Sequence, residues 1–353
     1  MTAAPNMDER TIARPTGWRA LLRQRETGIL FAAIGMFVLL AALSPNFATE
    51  DNLLNVVRQI SLLGIVAVGM TFLFVAGELD LSVGSMYVLL TIVCSLLIIK
   101  LGWAVPLAVL ATLLLGVGCG LLNGLITTLL KIPAFITTLG TTSIFGGLSL
   151  VLSGGFPVSG IESPVFKELM AAYVFGFIPA QVLWMLAVMI IGGLVLARSK
   201  FGYQTYATGG NRAAAANVGI RVDRVRVTCF VITGFLVGLA AVIATGWLRG
   251  ASPSQSTGFE LDVIAAVIIG GTALFGGSGT IFGTLLGALI SGMIANGLVL
   301  LNVDAYWEPV AKGIVIIVAV ALDGIVRARQ ATNAKNKVLA QSRAKAKAAA
   351  PLT

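Results

Sequence analysis

The chain contains no histidine, which removes the commonest metal ligand and the commonest general acid or base. Charge is scarce as well: 11% of the 353 residues are charged, against about 25% in soluble domains. The three cysteines, Cys94, Cys119 and Cys229, stand singly in apolar runs with no CxxC partner. Metal binding or disulfide formation needs clustered thiols, so these read as small core residues. No G-x-x-x-x-G-K-[ST] run occurs, so nothing here can cradle ATP phosphates. With no paired acids at helical spacing and no metal cluster, an intramembrane enzyme is the least supported class. No metal site and no cofactor is expected.

What the chain does have is apolar length. It is 57% hydrophobic, with a mean hydropathy of +0.96. A helix crosses the hydrocarbon with about 20 mostly apolar residues, and such stretches recur at 28–44, 53–76, 81–100, 104–130, 132–152, 174–197, 225–247, 262–276, 280–301 and 309–327. The expected class is an all-α polytopic membrane protein of about ten transmembrane helices, with nine or eight as fallbacks. A cleaved signal has a shorter charged region than the head that precedes the first run, so that run reads as a retained span. The expected division is a basic head (1–27), a transmembrane domain (28–327) and a basic tail (328–353).

The net charge of +9 is unevenly spread. Five of the 24 Lys and Arg residues lie in the head, six between Arg198 and Arg226, and seven from Arg327 to Lys347. Lys and Arg near span ends mark the cytoplasmic side. Both termini and the 198–226 loop therefore read as cytoplasmic. The basic tail reads as a solvated or membrane-hugging extension rather than a nucleic-acid arm. The weakest span is 262–276, which is short and interrupted by Gly270–Gly271. Reading it as a re-entrant half-helix would place the basic tail outside, against the charge bias, so a full crossing is expected.

Two triplets recur. "ELD" stands at 78–80 and 260–262, and "NGL" at 123–125 and 296–298. Each ELD is placed at the opening of the second span of a four-span block, and each NGL in the third span. The blocks 53–152 and 225–327 begin on opposite sides, which reads as two inverted four-helix repeats plus two extra spans, an arrangement common in transporters. The third spans also carry small-residue ladders, Gly116/Gly120/Gly124 and Gly279/Gly283/Gly287. Such ladders let helix backbones approach closely, either within the bundle or at a dimer seam.

A carboxylate at the bilayer centre costs about 3 kcal/mol on insertion scales, so "VAGELDLSVGSMYVLL" (75–90) demands a reason for Glu78 and Asp80. Gly77, Ser82, Gly84 and Ser85 weaken a helix there. Asp80 is placed to cap a helix starting near Leu81 by accepting from free N–H groups, or else it faces a solute path. Glu78 and Glu260 are expected near span ends, where solvent can reach them, and Glu78 and Asp80 at a helix break where little charge is buried. The 198–226 loop is longer than a hairpin needs. It offers a glycine break at Gly209–Gly210, a capping Asn211, and a short alanine helix (213–216) ending at Gly219. That helix reads as a membrane-surface element or as a docking element for a partner, with Arg flanks meeting acidic rims or lipid headgroups.

Together with the stretch 256–290, these segments resemble the permease subunits of bacterial ABC importers for monosaccharides of the ribose, xylose, arabinose and galactose type, over roughly residues 50–325. The family's G-x-x-D-L-S-V-G-S segment matches Gly77, Asp80, Leu81, Ser82, Val83, Gly84 and Ser85. Its cytoplasmic loop that meets the ATPase matches Gly209, Gly210, Asn211, Ala213, Ala216, Gly219 and Ile220. Its "GGT…GG.G" run matches Gly270, Gly271, Thr272, Gly276, Gly277 and Gly279. Two positions depart: Glu78, where the family more often has an apolar or small residue, and Arg212, where Pro is frequent. The resemblance implies alternating-access import across the bacterial inner membrane. It also implies a separate ABC ATPase subunit that uses the ATP, a periplasmic or lipid-anchored sugar-binding protein, and a second permease copy.

A sugar hydroxyl desolvated without a partner costs about 2 kcal/mol or more, so the path should offer polar groups. The candidates are Asp80, Ser82, Asn123, Thr272 and Asn296, with Thr71, Thr137 and Thr138 beside them. Trp103, Trp247 and Trp307 fall near outer span ends, as an interfacial belt or as a stacking platform for a sugar. Two other classes stand beside this reading: an ion-coupled secondary transporter, and an ABC permease for branched-chain amino acids.

Overall fold

The computed structural model describes residues 25–254 and 258–304, together with 307, 309–314, 317–318, 321 and 324. Nearly all of the basic head, and the whole of the basic tail, lie outside the described residues. Twelve helices are defined in full: α1 (Arg25–Leu43), α2 (Glu50–Val75), α3 (Val83–Ile99), α4 (Val105–Leu129), α5 (Ala134–Ser153), α6 (Pro164–Ala171), α7 (Ala180–Arg198), α8 (Lys200–Gly210), α9 (Arg212–Asn217), α10 (Val222–Leu248), α11 (Phe259–Ile269) and α12 (Ile281–Leu300). Residues 309–314 are also helical. Among the described residues, strand is confined to β1 (Val158–Ser159) paired antiparallel with β4 (Gly250–Ala251), and β2 (Tyr173–Val174) paired antiparallel with β3 (Ile178–Pro179). Seven helices among the described residues are long and apolar enough to cross a bilayer: α1, α2, α4, α5, α7, α10 and α12.

The core is built on α2 and α10. From Ile60 to Val75 every residue of α2 is buried, the pattern of a helix that is apolar all round and enclosed by others. Helices α4 and α10 meet backbone to backbone. A Cβ on Gly120 would lie 2.3 Å from the Phe230 carbonyl oxygen, one on Gly116 2.5 Å from that of Gly234, and one on Gly234 2.2 Å from that of Gly116. Gly124, the last rung of this first ladder, is less tightly held, since a Cβ there would lie 3.0 Å from the Val227 Cα.

The second ladder packs against α11 and its end. A Cβ on Gly287 would lie 1.9 Å from the Ala266 oxygen, and one on Gly283 2.2 Å from the Gly270 oxygen. Gly124 and Gly283 thus make contacts inside this one chain, as do Gly116, Gly120 and Gly287. Gly279 departs from the expected ladder. It precedes α12 instead of lying in it, so it is no rung of a helical ladder, and it sits against Thr272.

Large apolar side chains point away from the bundle on α1 (Phe31, Val38), α5 (Ile136, Val151) and α7 (Ile190, Ile191). With α4, which exposes Leu110 and Leu114, these helices present an apolar exterior, as a protein surrounded by lipid requires. Just before the buried stretch of α2, Arg58 hydrogen-bonds the Tyr173 hydroxyl and lies over its ring at 4.9 Å.

The structure corrects the span at 262–276. Helix α11 has 11 residues, about 16 Å at 1.5 Å per residue, roughly half the hydrocarbon thickness. The chain beyond it, 270–280, turns through Gly271, Gly276 and Gly277, all with positive φ. These residues are apolar enough to look like a span, yet their backbone cannot hold a helix. The two ELD triplets also differ. Glu260 and Asp262 lie in the first turn of α11, whereas Glu78–Asp80 precede α3 in the non-helical link 76–82.

Candidate functional site

Two interruptions define the site, 76–82 before α3 and 270–280 after α11. Helix α2 stops at Val75, and Gly77 takes φ +76°, which a residue with a side chain rarely adopts. The chain then passes Glu78 and Asp80 before α3 begins at Val83, two residues later than expected.

Asp80 is fully buried. Its Oδ1 accepts from the Ser82 backbone N–H at 2.8 Å and from the Ser82 hydroxyl at 2.6 Å, and its Oδ2 accepts from Asn123 Nδ2 at 3.2 Å. Asn123 Nδ2 also donates to Ser82 Oγ at 2.8 Å, and Leu81 N–H donates to Thr138 Oγ1 at 3.1 Å. The structure therefore joins Asp80, Ser82 and Asn123 into one network. Around it Asn123 Oδ1, Thr127 Oγ1 and Thr137 Oγ1 are buried without a hydrogen-bond partner among the described residues. Asp80 bonds Ser82, the residue before α3, and not a free N–H of the helix, which has no side-chain cap among the described residues; its complete burial contradicts the expectation that little charge is buried here. The cost of burying it is offset by three donors.

Thr272 and Asn296 do not join this network. Thr272 lies in the second interruption, its hydroxyl unpartnered and close to Gly279. Asn296 exchanges two hydrogen bonds with Asn52 at the start of α2, at 2.8 and 3.0 Å. Thr71 is bonded to Thr284 at 2.7 Å.

The first turns of α3 and α11 meet. A Cβ on Gly84 would fall 2.1 Å from Glu260 Oε2, and the rings of Tyr87 and Phe259 stack at 5.0 Å. Gly84 leaves room for a carboxylate that a side chain would exclude. In the same turn of α11, Asp262 pairs with Lys312 at 2.6 Å. The positive end of the α3 dipole thus faces the Glu260 carboxylate, which α11 carries in its own first turn.

The 198–226 loop folds as α8 and α9 against both interruptions. Ser199 caps α8 by accepting from Gly202 N–H, and Asn211 caps α9 by accepting from Ala214 N–H. The expected glycine break is not one, since α8 continues through Gly209 and Gly210. These glycines instead permit contact: a Cβ on Gly209 would lie 1.8 Å from the Val75 oxygen and 2.8 Å from Gly277 N. Gly277 N–H donates to the Val75 carbonyl at 2.9 Å, and the Tyr206 hydroxyl to the Gly279 carbonyl at 2.6 Å. Burial, and then the Glu26 charge, raise the Tyr206 phenol above its ordinary value, so it stays protonated further into the alkaline range. Of the alanines, Ala213 and Ala216 are exposed and Ala215 is buried. Gly219, at φ +85°, ends α9, and Ile220 leads into α10. Beside α9, a groove of 380 Å³ is lined by Lys200, Phe201, Gln204, Arg221, Arg224 and Thr228 among others.

Glu78 is tied to this loop. Its side chain is 3% exposed, and Oε1 accepts from Arg212 Nη2 and from Arg226 Nε, each at 2.5 Å. Arg212 also donates to the Gly77 carbonyl at 2.8 Å. The expected solvation of Glu78 is thus replaced by two guanidinium groups, because a buried carboxylate needs its charge balanced. The sequence carries no pointer to the roles of Arg226 or Tyr206. Arg226 looks like one more member of the basic cluster, and Tyr206 like one more surface aromatic.

Residues 52–320 match the family model described as "Branched-chain amino acid transport system / permease component". The chain belongs to this family. It is the membrane permease subunit of an ABC importer and a multi-pass membrane protein. The permease is 40% identical to the ribose import permease protein RbsC of Bacillus subtilis (strain 168), over 82% of this chain and 91% of the relative. It is 38% identical to the ribose import permease protein RbsC of Escherichia coli (strain K12), over 83% and 92%. Its identity to the autoinducer 2 import system permease protein LsrC of Salmonella typhi is 34%, over 90% of each chain. No solved structure matches. The Asp80–Asn123 network, both interruptions and the α8–α9 element all lie inside the matched range.

Proposed function

We propose that this permease passes a small sugar or polyol of the ribose class inward by alternating access, using ATP hydrolysed on a separate ATPase subunit. Two of the relatives named above are ribose import permeases, and the intramembrane polar groups suit hydroxyl ligands. Asn123 Oδ1 and the hydroxyls of Thr127 and Thr137 are buried hydrogen-bonding atoms with capacity to spare, beside the carboxylate of Asp80.

The observation that carries the reading is the attachment of α8 and α9 to both interruptions. Gly209 lies on Val75 and Gly277, Tyr206 holds Gly279, and Arg212 holds Gly77 and Glu78. A partner that moves α9 therefore moves the links preceding α3 and following α11, whose first turns touch at Gly84 and Glu260. In this reading ten crossings place both termini in the cytoplasm of the inner membrane, with α11 and its non-helical link together making one of them. The two blocks are inverted copies, α3 and α11 are their discontinuous members, and the path runs where they meet. Exposed Ala213 and Ala216 seat α9 in the ATPase, and the basic groove beside it meets an acidic rim. Capture outside the membrane falls to a sugar-binding protein, and a second permease copy completes the channel.

The test is reconstitution of the chain with its ATPase and binding protein in proteoliposomes. Uptake of a labelled pentose that requires ATP and all the components is expected. Sugar movement by the chain alone on a proton or sodium gradient would overturn the reading. Competition by branched-chain amino acids, but not by pentoses, for the binding protein would replace the substrate class.

A further inference from the structure

Glu78 occupies an unusual place among the described carboxylates. It is buried, it lies in the break between α2 and α3, and it is shared between two arginines of different standing. Arg226 belongs to the first turns of α10, a core helix, and its side chain is 12% exposed; Arg212 opens α9, and its side chain is 48% exposed. Both meet the same oxygen. One arginine is a post fixed in the transmembrane body, and the other rides on the surface element. Two residues beyond Glu78, Asp80 enters the Ser82–Asn123 network.

A buried carboxylate stripped of a cation is left uncompensated. Arg212 and Glu78 therefore resist separation, and a pull on α9 is delivered to the link at Gly77–Glu78. The second bond from Arg212, to the Gly77 carbonyl, grips the backbone of the same link. Arg226, bonded to the same oxygen from the start of α10, anchors the far side of the carboxylate, so a pull by Arg212 is taken up by the 76–82 link and not by free swinging of the side chain.

We infer that Glu78 is the positioning residue that couples the α8–α9 element to the solute path. Displacement of Arg212 moves Glu78 against the fixed Arg226, and the 76–82 link carries that movement to Asp80 and to the start of α3. This deepens the proposed function and rests on it, since the displacing partner is the ATPase.

The experiment uses the assembled importer in proteoliposomes and follows three quantities: ATPase recovered with the permease, ATP hydrolysed, and solute imported per ATP. For Glu78→Gln, ATPase recovery and hydrolysis are expected to stay at wild-type levels while solute per ATP falls about 2- to 30-fold, the range of coupling changes seen along such contacts. Glu78→Asp should restore part of the loss. Arg212→Gln, which leaves the Glu78–Arg226 pair in place, should lower the same ratio, and the Glu78→Gln/Arg212→Gln double variant should be no worse than Glu78→Gln. If Glu78→Gln does not accumulate in the membrane, Arg212→Gln decides alone. An unchanged solute-to-ATP ratio in Arg212→Gln overturns the inference. So does loss of ATPase recovery in the variants, which would make the pair a docking contact. Failure of the wild-type chain to recover any ATPase would instead bring down the proposed function, and the inference with it.

Discussion

At the scale of single residues, Asp80 shows how a carboxylate can stand inside an apolar bundle. It accepts from the Ser82 backbone, the Ser82 hydroxyl and the Asn123 amide, and each donor left behind by its removal would cost about 1–3 kcal/mol. Asp80→Ala should therefore destabilise the solubilised protein by several such increments, read as a lowered melting temperature. Asp80→Asn should stay within about 1 kcal/mol of wild type, because Asn also accepts at helix starts. Asn123 can present its unpartnered Oδ1 to the new amide by turning over. If Asp80→Asn keeps this stability yet loses uptake, Asp80 belongs to the solute path itself.

Tyr206 offers a second residue-level prediction. Its phenol is held above its ordinary pKa, so the folded state keeps the proton more tightly than the unfolded one. Stability is then insensitive to this group below the unfolded value near 10 and falls as the pH rises past it. Tyr206→Phe should cost about 0.5–1.5 kcal/mol, with no change in that cost between pH 6 and 9 in thermal melts. A cost that varied across this interval would contradict the assignment.

Among the elements, α9 is the one whose sequence and structure agree most closely. A capping Asn211, a run of alanines and a terminating Gly219 are local signals, and each acts within a few residues of itself. Exposed Ala213 and Ala216 give a clean perturbation: Trp at either position faces outward and leaves Ala215 in its packed place. Ala213→Trp and Ala216→Trp should insert in the membrane at wild-type levels and abolish recovery of the ATPase. Unchanged recovery would count against α9 as the docking element. Helix α11 shows the opposite case. Hydropathy records how apolar a stretch is and says nothing of its backbone, so residues 270–276 read as part of a helical span they do not form. The meeting of Glu260 with Gly84 is equally out of reach, because it joins residues far apart in the chain through a missing side chain.

For the whole molecule, apolar length is enough to read a polytopic bundle, and the placement of Lys and Arg points to a cytoplasmic 198–226 loop. The interior pairings are not legible. Arg212 and Glu78 lie 134 positions apart; they are the two positions that depart from the family pattern, yet their spacing gives no sign that they meet. The topology itself can be checked with the protein's own chemistry. Cys94, Cys119 and Cys229 are all buried, so the native chain should react little with a membrane-impermeant maleimide. Tyr203→Cys should then label only from the cytoplasmic side and Phe156→Cys only from the outer side, since both positions are exposed. Labelling of Tyr203→Cys from outside would reverse the orientation.

The seam between α4 and α10 limits how such a molecule can move. Where main chain rests on main chain at Gly116, Gly120 and Gly234, there is no rotamer to flip and no gap to absorb sliding. These two helices must therefore travel as a single rigid plank. Any gate in this importer has to hinge along other boundaries.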